Sequence, residues 1–233
     1  MSSSFGSKLF DIGLDDRDRL KDELGGGLPK SSIIMIEGEY GAGKSILSQR
    51  FSYGLCEEDH KVTYLSTEMD LSGFLDQMNS LSYNVEKHIL YQNLLFLRVY
   101  LQPKNSEKQD LLDRIMDADL MWNSDVIIFD TFGSILRNDE KYDSLVKDDH
   151  ERQRVLEIIS FFRDIKSDGK SIILTVDPTN VTENALSPFR GVSDVYIKLQ
   201  MDEVGGETQR SANIRRFAGK ESQVGDTMGY TVK

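Results

Sequence analysis

The residues of this chain that can do chemistry begin with Gly38-Glu39-Tyr40-Gly41-Ala42-Gly43-Lys44-Ser45, a glycine, four residues and then Gly-Lys-Ser. That spacing suits a loop that cradles phosphate. Gly38, Gly41 and Gly43 let the backbone take conformations that a side chain forbids, so that successive N–H groups point into one concavity. Lys44 supplies a point charge for β- and γ-phosphates, Ser45 a hydroxyl for Mg²⁺, and a helix starting there presents its positive end to the anion. Ala42 and Ile46 complete the candidate nucleotide-binding stretch. A glycine turn with a chance Gly-Lys-Ser is the plainer alternative.

Two acids follow at places where such a loop could use them. Glu68 ends the apolar run 61–67 and is placed to polarise a water aimed at a γ-phosphate; equally, it could only favour the start of the next helix. Asp130 ends the apolar run 126–130 and reads as the acid that holds the Mg²⁺ shell opposite Ser45, the alternative being an ordinary strand that ends in a surface Asp. Thr175, with Val176 and Asp177, ends a further apolar run and could sense the γ-phosphate.

The elements that must position these groups are legible as periodic patterns. Runs 32–36, 61–67, 94–100, 126–130 and 170–176 read as strands, the most apolar of them buried on both faces. Residues 46–55, 70–81 and 106–122 read as helices, as does a segment carrying Val155, Ile158, Ile159, Phe162 and Ile165 on one side. A short helix is expected over 15–23, ended by Gly25-Gly26-Gly27, and an exposed loop over 131–149. From residue 193 the pattern changes to antiparallel strands at 194–199, 209–217 and 228–232, the first two joined around Gly205-Gly206. Arg210, Arg215, Arg216 and Lys220 make this region basic, either as a solvated hairpin or as a surface that reaches a neighbour's phosphates. The class is α/β, with a mainly parallel central sheet and a C-terminal antiparallel extension. One domain over 1–233 is expected, with a disordered tail at 1–10.

The 233 residues carry a formal net charge of −11, which argues against standing attraction to nucleic acid or anionic lipid. The single cysteine, Cys56, excludes an internal disulfide framework and reads as a packed residue. No apolar run approaches the ~20 residues of a membrane span. A cytosolic place fits, with any membrane association made through a partner.

Leu24-Gly25-Gly26-Gly27-Leu28-Pro29, the phosphate loop, Tyr64-Leu65-Ser66-Thr67-Glu68 and the strand ending in Asp130 together resemble the KaiC/RecA-like branch of P-loop proteins. Ile36-Glu37-Gly38, the string 45–50, Ser66-Thr67-Glu68 and the string 77–83 look most like the FlaH family, the ATP-binding proteins of the archaellum, the archaeal swimming motor. The resemblance implies a RecA-like core, ATP and Mg²⁺ held by Gly43, Lys44, Ser45 and Asp130, and hexameric rings. It also implies a cytosolic position under the motor, beside the secretion-type motor ATPase FlaI and the membrane scaffold. Glu68 falls at the catalytic glutamate of KaiC and RecA relatives, and hydrolysis in the family is expected to be slow or regulatory. Two departures stand out. Ser31 occupies a position where many relatives have Gly, and Arg215-Arg216-Phe217 only loosely matches the trans-acting basic strand of KaiC. A RecA-type ATPase acting on DNA and a stand-alone KaiC-like regulator are the competing readings; the acidic loops after Asp130 and Asp177 speak against the first.

Overall fold

Apolar runs without alternation become the middle of a sheet when helices cover both of its faces. The computed structural model describes residues 8–101, 111–139, 150–204, 207–219, 224–225 and 227–230. Its elements follow as β1 (Leu9–Phe10), α1 (Leu20–Glu23), β2 (Leu28–Pro29), β3 (Ile33–Glu37), α2 (Lys44–Glu57), β4 (Val62–Ser66), α3 (Leu71–Ser80), α4 (Glu86–Leu90) and β5 (Leu94–Arg98). Then come α5 (Leu111–Met116), a 3₁₀ turn (Asp119–Asn123), β6 (Val126–Asp130), α6 (Phe132–Asn138), α7 (His150–Ser167), β7 (Ser171–Val176), α8 (Glu183–Val192), β8 (Val195–Val204), β9 (Glu207–Phe217) and β10 (Thr227–Tyr230). Every residue of β3, β4, β6 and β7 is buried, as parallel strands between two helical layers must be.

The main sheet runs β10-β9-β8-β3-β7-β6-β4-β5. From β8 to β5 neighbouring strands are parallel, and β9 and β10 return antiparallel. One core, with Phe51, Tyr64 and Phe74, lies on one face; a second, with Phe129, Phe132, Phe162 and Phe189, lies on the other. Because the central strands are parallel, the chain leaves β3, β4, β6 and β7 at the same edge, where ligands of open α/β sheets bind. No helix among the described residues is long and apolar enough to cross a membrane.

The N-terminal segment is fastened to α2. Arg50, 4 % exposed, donates to the carbonyls of Ile12 and Gly13 and to the Asp18 carboxylate. A Cβ at Gly54, one turn on, would lie 1.8 Å from the Ile12 carbonyl oxygen, so only glycine allows the approach.

Several expectations are corrected. Leu9 and Phe10 are not tail: they pair antiparallel with Pro29 and Leu28, and Phe10 is buried; residues 1–7 lie outside the described residues. The helix expected over 15–23 shrinks to α1: residues 15–17 form a turn, with the Arg17 and Asp18 N–H groups donating to the Leu14 carbonyl, and the Asp18 carboxylate accepts from the Leu20 N–H. The loop expected over 131–149 begins instead with α6, whose Phe132, Ile135 and Leu136 are buried; residues 140–149 lie outside the described residues. Of the helix expected over 106–122, the described part is α5 followed by the 3₁₀ turn, with the Trp122 indole buried and donating to the Ile115 carbonyl. Gly205-Gly206, Lys220 and residues 231–232 also fall outside the described residues. Ser31 sits at φ 51, in the left-handed region that favours glycine.

Candidate functional site

The loop between β3 and α2 turns where the sequence places its glycines. Gly41 and Gly43 take φ 79 and φ 93, and Gly43 is the N-cap of α2, so the first N–H groups of that helix open onto the cleft. Lys44 is almost buried and its Nζ donates to the Glu39 carbonyl at 2.9 Å. Burial pushes the Lys44 ammonium below its usual pKa, while the charges of Asp177, Asp130, Glu68 and Glu39 pull it back up. This cation sits among four carboxylates.

Asp130 is 2 % exposed and accepts three hydrogen bonds. Ser45 Oγ donates to its Oδ1 at 3.0 Å, Thr175 Oγ1 to the same oxygen at 2.9 Å, and the Tyr64 hydroxyl to Oδ2 at 2.8 Å. Burial pushes the Asp130 carboxyl up, and the bonds from Tyr64, Thr175 and Ser45 pull it down. Burial and the neighbouring Asp130 charge push the Tyr64 phenol well above its usual value, so it is a proton donor at any ordinary pH.

Glu68 lies opposite and is exposed. Its Oε1 accepts from Thr131 Oγ1 at 3.2 Å, and the Ser66 hydroxyl accepts from the N–H groups of Glu68 and Met69 to shape the turn. The N-cap of α3 is Asp70, whose carboxylate accepts from the Gly73 N–H. The side-chain cap of that helix is thus Asp70, two residues after Glu68.

A cleft of about 360 Å³ collects Gly41, Gly43, Lys44, Ser45, Ile46 and Glu68, together with Gln77, Thr131, Asp177 and Asn180. Gly38 and Ala42 face a smaller cavity behind the loop, beside Lys198 and Met201. Thr175 does not reach the cleft: it is fully buried, with its hydroxyl spent on Asp130, and Asp177 and Asn180 stand where a γ-phosphate sensor was expected. Sequence reasoning missed Tyr64, Gln77 and Thr131. For Mg²⁺ the donors fit. Ser45 and Asp130 offer hard oxygen atoms, and no cluster of three or more His, Cys, Asp or Glu competes among the described residues; an ion held by one carboxylate, a hydroxyl, phosphates and water suits that set.

A family model described as "ATPase: KaiC" matches residues 13–226. The archaeal flagellar ATP-binding protein FlaH of Methanocaldococcus jannaschii is 35 % identical over 202 residues, spanning 86 % of this chain and 82 % of that protein. The chain belongs to the FlaH branch of the KaiC ATPase family. FlaH of Methanococcus voltae is 34 % identical over 203 residues, 87 % of this chain and 84 % of that protein. The crystal structure of flagellar accessory protein FlaH from M. jannaschii superposes with a TM-score of 0.82 at 33 % identity, covering 97 % of this chain and 95 % of that one. The KaiC clock protein of Synechococcus elongatus matches at 24 % and over 37 % of its own length, so the FlaH likeness is the stronger.

In this FlaH-family chain the basic strand is partly committed to its own fold. Arg216 Nη1 donates to the carbonyls of Arg190, Gly191 and Ser193, which satisfies the C-terminal end of α8. Arg190 in turn binds the buried Glu37 carboxylate at 2.6 Å, the residue before Gly38. Arg210 donates to the Gly41 carbonyl at 3.1 Å. Arg215 is exposed.

Proposed function

We propose that this chain is an ATP-binding component of an archaellum motor, holding Mg-ATP at the 38–46 loop and signalling its presence through ring assembly and a secretion-type motor ATPase. The observation that carries it is the 3.0 Å contact of Ser45 with Asp130 at the foot of a loop whose lysine faces the same cleft. Lys44 would leave the Glu39 carbonyl for the β- and γ-phosphates, and the N–H groups at the start of α2 would take the remaining oxygens. Mg²⁺, when bound, neutralises charge on those oxygens. Asp130 and Ser45 would hold it, and Glu68, exposed and with its carboxylate bonded to Thr131, would orient a water and accept its proton in any hydrolysis. Ile46 lines both the cleft and a cavity of about 530 Å³ that also touches Arg50, Tyr83, Ala212 and Thr227, which gives the base room beyond the phosphates.

The γ-phosphate end of the cleft is bordered by the segments after β4, β6 and β7, and segments of this kind order around a γ-phosphate in other P-loop proteins. If they form subunit contacts, ATP favours the assembled state by mass action. With no membrane-crossing helix among the described residues, the proposed place is the cytosolic face of the motor, reached through partners. Calorimetry with Mg-ATP tests the site: Lys44→Ala is expected to abolish most affinity, and wild-type affinity in that variant would sink the reading. Light scattering and pull-down of the motor ATPase with ATP, ADP and no nucleotide test the switch; identical results in all three would leave ATP a structural ligand.

A further inference from the structure

Tyr64 lies in the middle of β4, fully buried, with its ring against Phe74 and Phe96 at centroid distances of 5.0 Å and 6.2 Å. Packing alone would be served by phenylalanine. The hydroxyl is what needs explaining, because a buried phenol without a partner is costly. It has two partners, Asp130 Oδ2 at 2.8 Å and Ser48 Oγ at 2.9 Å. Ser48 in turn lies 3.0 Å from the carbonyl of Ser45.

The protons fix the direction of this chain. An ionised carboxylate only accepts, so the Tyr64 proton goes to Asp130. Ser48 has one proton, to give to the Tyr64 oxygen or to the Ser45 carbonyl. Given to Tyr64, it ties the carboxylate that ends β6 through the phenol to Ser48 on α2, the helix that carries Ser45; given to the Ser45 carbonyl, it leaves Tyr64 held to Asp130. Thr175 and Ser45 both hold Oδ1; among the described contacts of Asp130, Tyr64 alone holds Oδ2 and so fixes the plane of the group. A hydroxyl can face a cation with its lone pairs while it still donates to a carboxylate, so Ser45 need not release Asp130 when an ion arrives.

Resting on the Mg-ATP reading above, we propose that Tyr64 is a positioning residue for Mg²⁺: through its hydroxyl it orients Asp130 toward an ion shared with Ser45, without touching ion or nucleotide itself. Its effect is confined to the metal-dependent part of nucleotide binding. The loop backbone and Lys44 bind phosphate whether or not the phenol is present.

The test measures ATP affinity calorimetrically in millimolar Mg²⁺ and again in EDTA, for the full wild-type chain, Tyr64→Phe and Ser48→Ala, with thermal unfolding as a check on folding. In the wild type, Mg²⁺ is expected to raise the affinity. Tyr64→Phe, which keeps the ring, is expected to lose about tenfold of that gain, the scale of one hydrogen bond to a charged group, while its affinity in EDTA stays within about twofold. Ser48→Ala is expected to lose less, since Tyr64 keeps its bond to Asp130. An unchanged Mg²⁺ gain in Tyr64→Phe, or an equal loss with and without Mg²⁺, overturns the positioning role and leaves the Mg-ATP reading intact. A wild type whose ATP affinity ignores Mg²⁺ overturns both.

Discussion

β4 and β6 lie side by side in the sheet, with Ser66 opposite Asp130, and a carboxylate stands at the end of each: Glu68 lines the cleft, while Asp130 lies buried behind Ser45, 3.0 Å from its hydroxyl. The two are held in opposite ways. Asp130 is buried and fixed by three hydroxyl donors, whereas Glu68, two residues past the end of β4, is exposed, and among the described residues its carboxylate holds one bond, at 3.2 Å. A fixed carboxylate suits an ion whose position must not vary. A loosely held one suits a group that must exchange a proton with water, and it costs the fold little to keep.

That contrast can be broken from either side. The largest expected effect is on turnover: Glu68→Gln keeps the shape but cannot accept a proton, so any ATP hydrolysis falls by about a hundredfold or more. Mg-ATP affinity and stability stay close to wild type, within about 0.5 kcal/mol for an exposed position. Phosphate release and thermal unfolding measured on one preparation check both halves, and unchanged turnover would return Glu68 to a structural part. Asp130→Ala is expected to do the reverse: Mg-ATP affinity drops at least about tenfold, and the fold loses about 1–3 kcal/mol because the buried hydroxyls of Tyr64 and Thr175 lose their acceptor. Urea unfolding without nucleotide isolates that loss. Thr175→Val removes one donor at nearly constant shape and should cost about 1 kcal/mol in the same experiment; a cost near zero would mean that the fixed carboxylate needs only Tyr64 and Ser45. Smallest is Thr131→Val, which frees Glu68 from its one tether and should change turnover by only about twofold, a long bond to an exposed group being worth a few tenths of a kcal/mol.

Much of the frame was legible because a strand covered on both faces needs an unbroken apolar run, and residues 126–130 give β6 to the residue. α6 was hidden in a segment whose charges suggested solvent, although Phe132, Ile135 and Leu136 at helical spacing were there to be read. Pro188 and its polar neighbours concealed α8, since a proline argues against a helix wherever it is not within the first turns. At the site, the glycine spacing and the two strand-ending acids pointed to residues that the structure places close together, Lys44, Ser45 and Glu68 in the cleft and Asp130 behind Ser45. Of the strand end 175–177 read as a γ-phosphate sensor, Asp177 lines the cleft and Thr175 is buried; both faces of a central strand are covered, so alternation does not show which residues reach the cleft. Tyr64 escaped for the same reason: an aromatic inside an apolar run reads as packing, and only the structure shows its hydroxyl on Asp130.

The seat of Ile12 against Gly54 bears on how the protein is synthesised and handled. A ribosome delivers residues 8–24 before α2, and the arginine that anchors them follows Asp18 by 32 residues, so this segment must wait for α2 before it can dock. Its docking completes the flank of the same helix that begins at Lys44. Deleting residues 11–18 would strip Arg50 of the partners of all four of its described hydrogen bonds and uncover the flank of α2 on which they lie.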